Sequence, residues 1–537
     1  MKIIQKIYRG GKSRFIPVLF ALLLVVNSCK KVTDLEPNNS FSELTAFATP
    51  ERVALAVAGV YSAAQAGLYV DNSNRGYPFG AANTEQGDVR GEDVIAVPSF
   101  YLISYEGTYD PTTANNVGQW TTLYALINRA NVVIEGVNDA GSKGTIATAI
   151  VAPYEAECRF LRALAYHELL VHYARPYSHT PNATHLGVPL QLKAVNTPAR
   201  VDEAKVLGRS TVNEVYTQIL ADLNFAETNL PATLAGSLKI TRATKGAAIA
   251  LKTRIYLHMN NWAKVIEEGN KVIPSGTGPY TSPIGSYALT PSPDGPFVTA
   301  AANLSNPESI FSIENSTTRN SGTNGSISTM YSKTPGRALI AISPIIWNSP
   351  TWKANDLRRT LLATNDSRAY YSNKYKDFST FTDANPILRY AEVLLNVAEA
   401  ESRSSTTPSI RALALLNAVR NRSVTTVTDR YTLADFVTSN SLTQAILDER
   451  RIEFLAEGKR FMDISRLAND PTFGTGGIPA KVSFASATFA TYNAASPYTG
   501  PRTVAAIPYS SGKFIWPIPA IETNSNPVLA AQQNPDY

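Results

Sequence analysis

Residues 245–273 read KGAAIALKTRIYLHMNNWAKVIEEGNKVI. They form two helical runs, Ala243 to Met259 and Trp262 to Ile273, joined by the tight turn Asn260-Asn261. The small and aromatic positions suit close packing of one helix on the next, as in tetratricopeptide-like units of about 34 residues. A second pair has the same form, Pro386 to Glu401 and Pro408 to Arg420. The pairs are not contiguous, so the chain is not a simple solenoid.

Further helices lie on both sides. Thr49-Pro50-Glu51 is a helix start, with a capping hydroxyl, proline at the first position and an acid after it. In WTTLYALINRANVVIEGV, residues Leu123, Leu126, Ile127, Ala130, Val133, Ile134 and Val137 follow the spacing of one buried face. Pro153 to Tyr173 is a helix. Thr211 to Leu230 opens with the capping box Thr211-x-x-Glu214. Leu442 to Leu467 is a long helix with Gly458 as its break. Two stretches interrupt the pattern, Gly67 to Gln119 and Pro274 to Asn385, and the tail from Pro471 is irregular. The second stretch has room for strands, for example SIFSIEN. It also holds Tyr331, Trp347, Trp352, Tyr370, Tyr371 and Tyr375, which favour a functional loop region.

The chain has 537 residues, is 44% apolar and 17% charged, and so is not a disordered chain. Its 2 cysteines exclude a disulfide framework or a multi-cysteine metal site. The net charge of +6 is concentrated at the start, where Lys2, Lys6, Arg9, Lys12 and Arg14 occur with no acid before residue 29. Beyond them 44 basic residues face 43 acidic ones, which argues against a nucleic-acid partner. The apolar run Phe15 to Val26 is too short to span a bilayer and matches a secretory leader. Cys29, directly after it, is the expected lipidation site, with cleavage after Ser28. The expected organisation is a leader over 1–28 and a lipidated tether over 29–48. A helical region over 49–273 and a loop-rich region with the remaining helix pairs over 274–537 follow.

Nine segments resemble the RagB/SusD family of nutrient-uptake outer-membrane lipoproteins, in family order. They begin with the leader and SCKKVTDLEP, LYALINRANVVIEGV and AECRFLRALAYHELLVHYARPY. RSTVNEVYTQILADLNFAETNLP, the segment around residues 245–273 and NPILRYAEVLLNVAEAESR follow. ALALLNAVRNR, ILDERRIEFLAEGKRFMDISRL and the WPIPAIETNSNP…QNPDY tail close the set. The resemblance implies a mainly α fold with four tetratricopeptide-like helix pairs and an irregular second half. It also implies a cell-surface lipoprotein that sits as a lid on a TonB-dependent β-barrel transporter, captures a ligand, most often a glycan, and delivers it for import. It implies neither catalysis nor a cofactor. A surface glycoside hydrolase and a non-binding adaptor of the transporter are the competing readings.

Glycan binding needs flat apolar faces for sugar C–H surfaces and planar polar groups for hydroxyls. Asp88, Arg90, Asp93, Phe100 and Tyr101 in the loop Glu85 to Tyr105 supply these types, as do Trp347, Trp352 and Tyr370. Each is equally a packing residue by type, and Asp88 and Arg90 are also candidates to pair with each other. His167 and His172 are separated by five positions and diverge on a helix, so they do not form a zinc-protease pair. Asp88, Glu92 and Asp93 are candidates for calcium by residue type but do not have the spacing of the EF-hand loop. Cys158 reads as a small buried residue. The run DERRIEFLAEGKRFMD reads as structural ion pairs, with Asp448–Arg451 and Lys459–Asp463 at helical contact spacing.

Overall fold

The computed structural model describes residues 45–67, 75–99 and 101–537; Cys29, the leader and Phe100 lie outside them. The fold is mainly α. α1 (Pro50–Gln65) starts where the sequence places it, with the Thr49 hydroxyl accepting from the Arg52 amide at 3.3 Å. α2 (Ala81–Val89) and β1 (Val94–Ala96) lie inside the stretch expected to be irregular. Apolar periodicity missed α2 because it is buried almost all round and carries Glu85, Gln86 and Asp88 inward.

The long antiparallel helices α3 (Ala114–Ser142) and α4 (Thr148–Tyr173) pack along each other, and α5 (Val212–Asn229) packs on α4. α3 and α4 begin about a turn and a half before the expected starts. The capping box of α5 is present: Glu214 N donates to Thr211 Oγ1 at 3.2 Å and Thr211 N to Glu214 Oε2 at 2.7 Å. α6 (Lys245–His258) and α7 (Trp262–Gly269) form the predicted hairpin about Asn260, whose φ is 55°. The small residues are there for close approach. A Cβ on Gly246 would meet the Tyr287 ring at 2.5 Å, and one on Gly269 would meet Val397 at 2.2 Å.

Among the described residues three small antiparallel sheets complete the fold. β2 (Ser309–Ile313) pairs with β6 (Asn385–Arg389). The segment from Pro386 therefore begins as a strand, and α8 (Tyr390–Arg403) starts only after it. Pro386 fits the first turn of a helix equally well, and only the partner strand decides between the two. The main sheet runs β1, then β3 (Ile340–Ile342), β5 (Tyr370–Ser372) and β4 (Ala363–Asn365). Val94 faces Ile342 and Ala96 faces Ile340, so the two expected regions share one sheet. Residue 273 marks a change of composition, not a break between separate cores; the largest apolar cluster draws on both sides of it.

α9 (Ile410–Arg420) pairs with α8. The predicted long helix is broken as expected: α10 (Ser439–Glu453) and α11 (Arg460–Arg466) flank Gly458, whose φ is +73°. Beneath β6 and α10 lies a buried ionic seam. The Glu453 carboxylate takes bonds from Arg422 at 2.6 Å, Arg389 at 3.0 Å and Arg358 at 3.0 Å. Glu457 takes Lys374 at 2.6 Å and Arg389 at 2.7 Å, while Glu308 pairs with Arg389 and Arg422. The charged run is thus structural, but with other partners than helical spacing indicates. Arg451 reaches Glu92 and Asp93, and Asp463 takes Arg450 and Arg466. Among the described residues no helix is long and apolar enough to cross a membrane.

Candidate functional site

The site is a graded aromatic stack. Its inner ring belongs to Trp347, on a short helix (Pro344–Trp347) that follows β3 and is capped by Ser343, whose hydroxyl accepts from Ile345 N at 3.2 Å. The middle ring is Tyr370, the first residue of β5. The β4–β5 turn is held by Asp366 Oδ1, which accepts from the amides of Arg368 at 2.7 Å and Ala369 at 2.8 Å. Strand alternation then separates neighbours. Tyr371 packs among Ile95, Ala341 and Val482, and Tyr370 turns to Trp347. The outer ring is Phe489, on a single helical turn of the tail.

Trp347 and Tyr370 stack at 3.7 Å with planes 21° apart, and Tyr370 and Phe489 at 5.5 Å and 22°. Tyr492 closes the side, 5.3 Å from Tyr370 at 62°, and donates to the Ile342 carbonyl at 2.8 Å. The tail is clamped to the tryptophan helix: Asn348 Nδ2 donates to the Thr491 carbonyl at 2.9 Å, and Asn493 N to Asn348 Oδ1 at 2.8 Å. Exposure rises along the stack from 5% at Trp347, through half-buried Tyr370, to 43% at Phe489. The inner rings are rigid and the outer face of Phe489 meets solvent. Exposed Thr488, Asn493 and Arg368 lie beside it in sequence or on the adjoining turn. A flat apolar face with flanking polar groups can stack on a sugar ring and bind its hydroxyls.

The structure brings together only part of the expected set. Trp347 and Tyr370 join in the stack. Trp352 is a packing residue, 2% exposed and edge-on to Trp347 at 5.3 Å, with the Arg359 guanidinium 4.3 Å above it. Asp88 and Arg90 neither pair with each other nor face solvent. Asp88 accepts from Tyr331 Oη at 2.6 Å and from Gly458 N at 3.1 Å. Its carboxyl is raised to about 7, because burial outweighs the opposing pull of those two donors. The Arg90 guanidinium lies 3.5 Å above Phe461 and donates to the Phe514 carbonyl at 2.6 Å, with His172 Nδ1 at 2.8 Å. Tyr101 is fully buried. These residues hold the loop from inside because a charge or hydroxyl with internal partners is stable there without water.

Asp93 is also internal and, with Glu92, is paired to the guanidinium groups of Arg451 and Arg460. His167 and His172 diverge, the first edge-on to His258 and the second stacked on Trp516. Cys158 is fully buried and its thiol is pushed well up by burial. Among the described residues no three His, Cys, Asp or Glu side chains are grouped to hold a metal ion. The sequence reading missed Phe489 and Tyr492. The signal was present in TFATY, two aromatics three apart in a tail of small residues, but no periodicity singles them out.

Comparison with known proteins gives a consistent answer. A family model described as "Starch-binding associating with outer membrane" matches residues 57–257, and the SusD family model matches residues 359–537. SusD-like protein P38 of Formosa agariphila is 25% identical over 508 residues, covering 85% of this chain and 92% of that protein. A SusD superfamily protein from Bacteroides fragilis superposes with a TM-score of 0.73 at 27% identity, over 90% of this chain and 99% of that one. A laminarin-binding SusD-like protein superposes with a TM-score of 0.63 at 21% identity, over 91% of this chain and 100% of that one.

Proposed function

Because the chain belongs to the SusD-like family, we propose that it captures a glycan on the Trp347–Tyr370–Phe489 face and hands it to a TonB-dependent β-barrel transporter. The stack, rising from core to solvent, is the observation that carries this reading. The buried end fixes the orientation of the exposed end, so a sugar ring docks without ordering the platform first. The laminarin-binding relative and the starch-binding family model support a neutral glucan or a similar polymer as ligand. The protein acts by binding, without catalysis, and is held to the outer membrane by a lipid on Cys29. The outer-membrane wording of the family model supports the location.

The test is gel retardation against a panel of polysaccharides, with reducing-end release recorded in the same samples. Wild type is retarded by one polymer class and releases no product. Phe489→Ala and Tyr370→Ala weaken retardation at least about tenfold, the loss of roughly one stacking contact. Product release, or undiminished retardation by both variants, overturns the assignment.

A further inference from the structure

Away from the aromatic face, a cleft of about 290 Å³ opens between α1, residues 238–242 and the chain leaving β2 at 313–319. It shares no residue with the stack. Its floor carries a built hydrogen-bonding group. Gln65 is 6% exposed, and its Nε2 donates to Asn315 Oδ1 at 3.0 Å and to the Arg319 carbonyl at 2.7 Å. Both amide hydrogens are thus used and the amide cannot flip. Its carbonyl oxygen has no partner among the described residues. The oxygen is held in one orientation at the floor of the cleft, where a ligand hydroxyl can donate to it in place of water.

The remaining lining narrows the chemistry. One wall is the Tyr61 ring, locked because its hydroxyl donates to Glu157 Oε2 at 2.6 Å and accepts from Ala243 N at 3.0 Å. Arg242 is neutralised by the same carboxylate, through bonds of 2.6 and 2.9 Å. At the rim Glu314 and Arg319 are exposed, and neither has an ion pair among the described residues. They are opposite in sign, so the rim has no net charge. A free carboxylate, a free guanidinium and an amide oxygen are the planar groups that pair with adjacent hydroxyls. Leu238, 49% exposed, offers an apolar side.

We propose that this cleft is a second ligand site, distinct from the aromatic face, which takes one compact neutral polyhydroxylated unit, a hexose. A single sugar ring in so small a cleft binds weakly, with Kd of about 1 mM. The site does not depend on the aromatic face being a glycan platform, and the two are read separately.

The experiment is saturation-transfer NMR with titration, on the purified protein, using D-glucose, D-galactose, D-mannose, D-glucuronate and glycine as probes. The variants are Ser62→Phe, which fills the cleft from α1 where the Ser62 side chain makes no hydrogen bond among the described residues, Gln65→Leu, and Phe489→Ala. Thermal unfolding of each shows whether it is folded. At least one neutral hexose is expected to saturate wild type and Phe489→Ala alike, with Ser62→Phe weakening it at least about tenfold and Gln65→Leu doing the same. The proposal is overturned if no hexose saturates up to about 50 mM, well above the expected Kd. It is equally overturned if saturation survives in a folded Ser62→Phe protein, or if glycine or glucuronate saturates in place of the hexoses. Loss of hexose binding in Phe489→Ala alone would place the sugar on the aromatic face instead. Polysaccharide retardation, measured beside it, reports on that face independently.

Discussion

The ionic seam under α10 and the aromatic stack beside β5 are built on opposite plans. In the seam Glu453, Glu457 and Glu308 are enclosed by arginines and Lys374, and every one of these carboxylates has at least two cationic partners. In the stack only one end is enclosed, and the other ring is 43% exposed. The seam ties together segments far apart in the chain, and its carboxylates are buried away from solvent. The stack is anchored at Trp347 and left unfinished at Phe489. Rigidity and availability are divided between two sites, so each can be damaged without the other.

The largest expected effect is on the seam. Glu453→Ala removes the carboxylate that three buried guanidinium groups share, leaving each with fewer counter-charges in the interior, and is expected to cost about 3–5 kcal/mol, read by denaturant unfolding or as failure to fold. A cost under about 1 kcal/mol would show that water reaches the seam.

Acid is the next way to separate the two. Burial lowers His167 to about 3 and lowers His258 well below its usual value, with the charges of Arg254 and His258's neighbour His167 adding to this. Below the ordinary value of 6.5 the unfolded chain takes up protons that the folded one refuses. Stability is therefore undiminished above pH 6.5 and falls as pH drops toward 3, by about 2 kcal/mol for His167 at pH 5. Glu92 and Glu392 add a lower step. Burial would raise them, but Arg460 and Arg451 hold Glu92, and Arg254 and Lys459 hold Glu392, at about 2. Their contribution is present above about 4.5 and is lost as pH falls through 2. Melting temperatures from pH 7 to 4 are expected to fall less in the His167→Leu/His258→Leu variant than in wild type. Parallel curves would remove the histidines from the account.

Smaller still is the cap of α5. Thr211→Ala removes the acceptor for the Glu214 amide and is expected to cost about 1 kcal/mol in chemical unfolding. Smallest is the effect of Phe489→Ala on stability, within about 0.5 kcal/mol, because the ring is at the surface. Its effect on glycan retardation is the large one. A drop in stability as large as that of Glu453→Ala would mean that the stack is core, and would end the comparison.

Much of the helical frame was legible in the chain. Thr49, Thr211 with Glu214, Asn260 and Gly458 mark helix ends by local chemistry, and each acts in the structure within a few residues of itself. Trp347 and Tyr370 were legible as candidates by type and region. α2 and β6 were not, because their conformation depends on burial or pairing across more than seventy residues. Phe489 was not, because its partner Tyr370 is more than a hundred residues away and nothing near Phe489 signals the encounter.

The sequence by itself determined the mainly α fold, the hairpins and caps, the resemblance to one family and the near-neutral charge of the body. Those follow from periodicity, turn chemistry and counting, which act over a few residues or over none. The tertiary structure alone decided which polar and aromatic residues face inward. Asp88, Arg90, Tyr101 and Trp352 have the residue types of a sugar site and became scaffold, since partners from distant segments saturate or enclose them. Phe489, in a tail without pattern, became the exposed end of the stack because Tyr370, itself stacked on Trp347, supports one of its faces while the ring stays 43% exposed.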